Sequence, residues 1–272
     1  MSANGLLKAA INGGWRPAQL TCVPVSPPEI AAEALAAVGA GATVVHFHPR
    51  AADGAETLEP APLEACLRAL GETVPGVPVG VTTGLWACAG PSARLGQVRN
   101  WTALPDFASV AFAEEGAEEL ASLLLSRGIA IESAAWTLRD MERLLECAAA
   151  ARSLRILIEP QSEDPSQALA DAEAMLEALR RKTREIPVLL HGAGATAWPL
   201  YEAAERLGLE QRIGLEDTSL LPDGKAATGN APLVEAALAL RKGNAGTAGS
   251  APRDRELAER TVQWSATKGA RS

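Results

Sequence analysis

The chain has 272 residues, 47% hydrophobic and 21% charged, which gives ample apolar material for a buried core and is unlike a disordered polypeptide. Its formal net charge of −8 argues against a nucleic-acid or anionic-membrane surface, although not against a local basic pocket. Cys22, Cys66, Cys88 and Cys147 show no CxxC spacing, so reduced thiols in a cytoplasmic protein are expected, not a zinc ribbon or a disulfide framework.

Taken in order, short apolar runs rich in β-branched residues alternate with stretches of helical period. "LLKAAIN" (6–12) reads as a first strand ending at Asn12. "SPPEIAAEALAAVGAG" reads as a helix, with Ser26 as N-cap, prolines in the first turn and Glu29 three residues on. "ATVVHFH" (42–48) is a second strand, closing on His46 and His48 with Arg50 just beyond. "VPVGVTT" (77–83) ends in Thr82 and Thr83; "FASVAF" (107–112) follows; "IAIESA" (129–134) carries Glu132; "LRILIEP" (154–160) closes on Glu159. The helix "DPSQALADAEAMLEALRRKT" carries acids early and bases late, as its dipole prefers. "IPVLLHG" (186–192) brings His191 and opens "HGAGAT", and "RIGLED" (212–217) is the eighth strand. Eight such alternations predict a (β/α)8 TIM barrel in a single domain over residues 1–245; a doubly wound open sheet is the alternative. Residues 246–272, beginning in Gly/Ala/Ser-rich sequence, read as a linker and a C-terminal helix or tail. There is no basic leader before an apolar segment, and no apolar run of about 18 residues, so no membrane span is expected.

In such a barrel the chemistry sits at the C-terminal strand ends, and all three histidines of the chain fall there. His46 and His48 are two apart and share a strand face. They suit either a metal site or a rim that holds loop carbonyls. An open catalytic site needs about three protein ligands, and Glu216, at the end of a strand that neighbours the first in a closed barrel, is placed to complete one. The adjacent Glu216 and Asp217 point to opposite faces if the strand stays regular. Asp217 then serves as a base or as an anchor for Arg212, which on spacing alone reads as a surface residue. Gly192 and Gly194 suit either a phosphate-binding turn ahead of a helix or a plain tight turn.

Together, "AINGG", "PVSPPEIAAEALAAVGAGATVVHFHPRAADG", "TTG" and "RIGLED" followed by "TGNAPLVEAA" resemble the β-keto acid cleavage enzyme family. The resemblance covers most of the chain, and its HxHxR and RxGxED motifs in this order are specific. It implies a barrel with Zn2+, or a similar divalent ion, on His46, His48 and Glu216. It also implies a Claisen-type exchange in which a β-keto acid and the co-substrate acetyl-CoA give acetoacetate and a new acyl-CoA. By the same resemblance Asp217 is the general base and Arg212 pairs with it or with the substrate carboxylate. Thr82 or Thr83 orients the keto acid, and Arg50 orients the metal-bearing strand or offers a second anionic contact. Glu132 matches a family glutamate after strand 5, while the family's usual second glutamate there is Ala134. His191 has no family counterpart and reads as an extra acid/base or a loop anchor. Relatives of this kind are homo-oligomers, tetramers or dimers, and the same is expected here.

One departure bears on substrate. Where an amino-acid-cleaving relative carries a glutamate for the substrate amine, this chain reads "NGGWR", with Gly14 or Trp15 in its place. A keto acid without a cationic amine is therefore expected, and Trp15, Trp86 and Arg16 suit an apolar or anionic tail. Two other readings carry less. An amidohydrolase-type metal enzyme needs more than the one histidine left beyond HxH, and a non-catalytic acyl-CoA- or metabolite-binding barrel has no need of Arg212, Glu216 and Asp217 together.

Overall fold

Each of the eight apolar runs forms a strand, and a helix follows each. The computed structural model describes residues 5–15, 18–182 and 186–245. Its strands are β1 (Leu7–Ala10), β2 (Val44–Phe47), β3 (Val79–Val81), β4 (Phe107–Ala111), β5 (Ala130–Ala135), β6 (Arg155–Ile158), β7 (Val188–Leu190) and β8 (Glu210–Ile213). The helices are α1 (Pro27–Ala40), α2 (Pro60–Thr73), α3 (Pro91–Arg99), α4 (Ala117–Ser126), α5 (Leu138–Glu146), α6 (Pro165–Arg181), α7 (Ala197–Leu207) and α8 (Asn230–Ala245). All neighbouring strands are parallel, and β1 pairs with β8 as well as β2, which closes a (β/α)8 barrel. The linker and terminal helix expected over 246–272, and Arg16, lie outside the described residues. Among the described residues no helix is long and apolar enough to cross a membrane.

Local signals set the helix ends. The Glu29 carboxylate accepts from the Ser26 amide at 2.8 Å, Pro27 opens α1, and Gly41 stops it with φ 117°. At α6 the Asp164 side chain accepts from the Gln167 amide at 2.8 Å.

Period-2 alternation sorts the strand residues into two environments. Outward-facing Val45, Phe47, Val81, Val110, Ile131, Ile156, Ile158 and Ile213 pack under the helices in one continuous core. Inside, Ala134, Leu157 and Leu189 make a small apolar layer with Leu6 and Ala111 against it. Two residues nearer the N-terminal ends of β5 and β6, the interior is ionic. Lys8 Nζ lies 2.5 Å from Glu132 Oε2, Arg155 Nη1 pairs with Glu132 Oε1, and Arg155 Nε lies 2.5 Å from Glu210 Oε2. The Phe107 ring lies beneath both cations, 5.5 Å from Lys8 Nζ and 6.0 Å from Arg155 Cζ. A side chain at Gly80 would occupy the space of that ring.

The ion network corrects the placement of Glu132. It stands within β5, fully buried, with its two oxygens on Lys8 and Arg155, below the mouth of the barrel and not after the strand. Burial opposes its charge, but Lys8 and Arg155 hold its carboxyl below the usual range. The same burial brings Lys8 down to about 8 against the pull of Glu132.

Strand 8 also departs from expectation. It ends at Ile213, and the amides of Asp217 and Thr218 both donate to the Gly214 carbonyl, at 2.9 and 3.0 Å. Glu216 and Asp217 thus lie in a turn and escape the alternation that would have sent them to opposite faces. Gly214 permits the turn, because a Cβ there would collide with the Ala10 backbone.

Glu132→Gln leaves Lys8 and Arg155 uncompensated inside the barrel, and removing one partner of a buried ion pair costs about 3–5 kcal/mol. Urea unfolding should show a loss of that order. An unchanged unfolding midpoint would mean that Glu132 is not the hub of the interior.

Candidate active site

Strand pairing alone brings the histidines to the mouth. Ala10 stands opposite His46 and His46 opposite Gly80, so His46, and His48 two residues on, face inward at the C-terminal ends of β1 to β3. Asn12 fixes the end of β2. Its Oδ1 accepts from the His48 amide at 2.8 Å, and its Nδ2 donates to the carbonyls of His48 and Pro24. The Nε2 atoms of His46 and His48 come within 3.2 Å of each other. Glu216 Oε2, from the turn after β8, stands 3.3 Å from His48 Nε2 and 3.8 Å from His46 Nε2. Gly13 makes room for this carboxylate, since a Cβ there would overlap it.

These three groups fit a divalent metal ion. One ligand atom from each lies within 4.8 Å of the others. Glu216 Oε2 is buried with no hydrogen-bond partner, although a buried carboxylate oxygen ordinarily has one. Two imidazoles and a carboxylate are the donor set of an open catalytic site.

A second carboxylate stands behind His48. Glu56 Oε2 is 2.6 Å from His48 Nδ1 and accepts from Trp86 Nε1 at 2.6 Å, while Glu56 Oε1 accepts from the Gly14 amide at 2.8 Å. An acceptor on Nδ1 turns Nε2 toward a ligand position and raises its basicity. Burial disfavours a charge on Glu56, yet His48, Trp86 and Gly14 bring its carboxyl down to about 2. Trp86 also stacks on the His48 ring, with centroids 6.3 Å apart. The sequence reading missed Glu56. Its one local signal is its position eight residues after His48 in the loop that Arg50 and Glu56 fold back on itself.

Arg212 organises the opposite side. Its Nη2 lies 2.5 Å from Glu216 Oε1 and 2.7 Å from Asp217 Oδ1, and its Nε is 3.0 Å from Asp217 Oδ1. Far from being a surface residue it is buried, and the two carboxylates raise its already high pKa further against burial. They respond in opposite directions. Burial works against the charge of Glu216, but Arg212, His48 and His46 hold it well below the usual carboxylate range. At Asp217 burial prevails over Arg212 and His191, and the pKa rises. Burial likewise keeps His46 neutral against the pull of Glu216, whereas His48 is raised to about 9, its burial outweighed by Glu216 and Glu56.

The other expected residues are arranged around this centre. Arg50 donates to the carbonyls of Trp15 (2.7 Å), Gly54 (3.1 Å) and Asn12, tying the loops after β1 and β2 together. Thr82 accepts from the Gly84 amide at 3.1 Å, and Thr83 donates to the Ser109 carbonyl, so Thr83 faces β4. Trp15 Nε1 donates to the Leu215 carbonyl at 2.7 Å, which fixes the indole beside the Glu216 turn. In the turn after β7 the Gly194 amide donates to the Asp217 carbonyl at 2.7 Å and the Ala193 amide to Thr196 Oγ1 at 3.2 Å. A side chain at Gly192 would meet Thr196 and Leu200. That stretch is a tight turn fastened to the site, with these two amides already engaged. His191 Nε2 lies 2.8 Å from Glu159 Oε1, Trp136 Nε1 donates to Glu159 Oε2 at 2.9 Å, and His191 Nδ1 stands 3.7 Å from Asp217 Oδ1. Glu132 is the expected residue that does not join this cluster.

Residues 6–257 match the family model for beta-keto acid cleavage enzyme. No curated protein matches the chain. Among solved structures, the binary complex of ObcA with oxaloacetate superposes with a TM-score of 0.66 at 16% identity, covering 82% of this chain and 64% of that one. The ternary complex of ObcA with a C4-CoA adduct and oxalate gives the same values. A type I 3-dehydroquinate dehydratase from Clostridium difficile follows, with a TM-score of 0.57, 13% identity and 89% and 94% coverage. At these identities the likenesses show the barrel fold, and the chain spans under two thirds of the length of ObcA. The match over residues 6–257 places the chain in the β-keto acid cleavage enzyme family.

Proposed function

We propose that this protein is a metal-dependent β-keto acid cleavage enzyme that exchanges a β-keto acid with acetyl-CoA to give acetoacetate and a new acyl-CoA. We further propose that the variable end of its keto acid is neutral or anionic. One observation carries the reading: Arg212 holds a ligand-type carboxylate, Glu216, and a base-type carboxylate, Asp217, beside two convergent imidazoles. That ObcA has been solved with oxaloacetate and with a CoA adduct is in keeping with it.

His46, His48 and Glu216 would hold the ion, zinc being the metal that such a donor set suits. Once bound, it would act as a Lewis acid toward the keto and carboxylate oxygens and so stabilise the charge of an enolate. Asp217 takes the proton from C2 of the keto acid. Its raised pKa suits a base that must later return that proton. The C2 carbanion then attacks the thioester carbonyl of acetyl-CoA and expels the thiolate, which adds to the ketone. C–C cleavage releases acetoacetate as its enolate, and Asp217 reprotonates it. Arg212 keeps Asp217 oriented throughout, and Thr82 stands on the β3 side of the mouth to orient the keto acid.

The substrate proposal rests on the loop after β1. The carboxylate hydrogen-bonded to that loop is Glu56, and His48, Trp86 and the Gly14 amide occupy it. An ammonium brought to Gly14 meets an acid that is already engaged, and Trp15 and Trp86 offer apolar surface beside it.

Purified protein should carry about one equivalent of divalent ion, lost on His48→Ala. Asp217→Asn should keep the ion yet lower turnover by about 10²–10⁴-fold. Metal-free wild type with full activity, or an active Asp217→Asn, would overturn the reading. Gly13→Ala alters no ligand but pushes on Glu216, so equilibrium dialysis should show metal affinity down by about 10–100-fold, the range seen when the surroundings of a ligand are disturbed. Unchanged affinity would show that Glu216 is not held against Gly13. Across a panel of keto acids, neutral and anionic ones should exceed 3-keto-5-aminohexanoate in kcat/KM by at least about tenfold, the effect of one unmet buried polar group. The reverse order would refute the substrate proposal.

A further inference from the structure

His191 is the only histidine the proposed mechanism leaves without a role, and its surroundings are unusual. It lies at the C-terminal end of β7, 6% exposed, with a carboxylate facing each ring nitrogen. On one side Glu159 is close enough to accept a strong hydrogen bond, 2.8 Å from Nε2, and Trp136 holds the other oxygen of Glu159. On the other side Nδ1 is buried, has no hydrogen-bond partner, and stands 3.7 Å from Oδ1 of Asp217. An imidazole nitrogen that faces a carboxylate is best placed as an N–H donor, because a bare lone pair there would face the anion. Glu159 supports that state. Burial opposes its charge, but His191, Arg212 and Trp136 bring its carboxyl down to about 2, so it is an anion at any working pH. Glu159 thus anchors the ring at Nε2, and Nδ1, on the Asp217 side, is left without a close partner.

The position of Nδ1 matters for the chemistry. A base accepts a proton within about 3 Å of its own oxygen, so the carbon that Asp217 deprotonates lies near a point only 3.7 Å from His191 Nδ1. This carbon forms the new C–C bond, and the acetyl carbonyl must come to it. As the bond forms, the π electrons of the thioester C=O move onto oxygen. They return when the thiolate leaves, and the same happens at the ketone when the thiolate adds and the C–C bond breaks. Asp217 has by then taken up its proton and lost its charge. The nearby Nδ1–H is left facing negative charge that has moved from the base to the substrate.

Resting on the proposed exchange, we infer that His191, fixed by Glu159 at Nε2, is a catalytic hydrogen-bond donor through Nδ1 to the oxyanions of the carbon–carbon bond-forming and bond-breaking steps. It does not contribute to removal of the C2 proton. Trp136 acts one step further out, as a positioning residue that keeps Glu159 aimed at the ring.

The two half-processes can be measured apart. In deuterated buffer without acetyl-CoA, the metal-loaded enzyme and a β-keto acid should exchange the C2 proton above the buffer rate, a readout of Asp217 alone. With acetyl-CoA, formation of acetoacetate reports the whole sequence. His191→Leu should lower acetoacetate formation by about 10²–10³-fold, the effect of removing one oxyanion donor, while C2 exchange followed by NMR falls by less than tenfold. His191→Asn, which keeps an N–H near Nδ1, should recover part of the loss, and Glu159→Gln should shift the two rates in the same unequal way as His191→Leu. Should His191→Leu not accumulate as folded protein, the other two variants carry the comparison. Equal losses in exchange and transfer would overturn the inference by making His191 a support for Asp217, and transfer at the wild-type rate would overturn it outright. Wild-type enzyme that shows neither exchange nor transfer would instead defeat the proposed function, and this inference with it.

Discussion

A single guanidinium determines how this barrel can work. Arg212 is buried and permanently charged, and its fork is shared between adjacent residues of one turn. The pairing settles the lone pairs of both carboxylates. Glu216 gives Oε1 to Arg212 and has Oε2 left over for an ion. Asp217 accepts from both Nε and Nη2 of the guanidinium and is fixed in orientation, with burial keeping it basic. Two neighbours of similar chemistry are thereby suited to the different tasks proposed for them. The division depends on β8 stopping at Ile213, and that stop depends on Gly214 lying flush against Ala10. A residue with a Cβ at position 214 would disturb base and ligand together, although it touches neither.

The metal side is built by the same logic from a different loop. The His46 ring meets His48 and Glu216 through Nε2, its Nδ1 is without a partner, and burial keeps it neutral, the form that the proposed ligand role needs. His48 is held from three directions: its amide by Asn12, its Nδ1 by Glu56 and its ring face by Trp86. Glu56 also closes the loop after β1 by accepting from the Gly14 amide, and Arg50 donates to the Trp15 carbonyl of the same loop. Orientation of the proposed ligand and the proposed exclusion of a cationic substrate group would therefore have one cause. The acid that a free ammonium would seek is already turned toward His48.

Much of this was legible in the sequence because it follows from period and order. Eight apolar runs at even spacing gave the strands, and strand order placed His46, His48, Glu216 and Asp217 at one end. Three things were not legible, each for a physical reason. Glu132 and Glu159 look alike in sequence, a carboxylate in or just after a strand, and only the stagger of the barrel puts one against Lys8 and Arg155 and the other against His191. On spacing alone Arg212 read as a surface residue with Asp217 as a possible anchor; that it is buried and also holds Glu216 was not foreseen, because both carboxylates lie in a turn to which the alternation rule does not apply. Glu56 lies in an irregular loop, where no period applies.

The two charged layers in the barrel show how ions that hold a fold differ from ions that act. On β5 and β6 the chain runs from Glu132 and Arg155, through apolar Ala134 and Leu157, to Trp136 and Glu159, so two residues of hydrocarbon separate the layers. In the lower layer Lys8, Glu132, Arg155 and Glu210 pair with one another, and none carries a buried polar atom without a partner. Such a layer has nothing to offer a ligand, and any change in its protonation would leave a charge stranded in hydrocarbon. The upper layer has as many charges but leaves Glu216 Oε2, His46 Nδ1 and His191 Nδ1 unmet. A buried polar atom without a partner is a free-energy penalty that folding alone does not offset. Three of them at one barrel mouth, none in the network below, mark where binding energy from substrate and ion is to be realised.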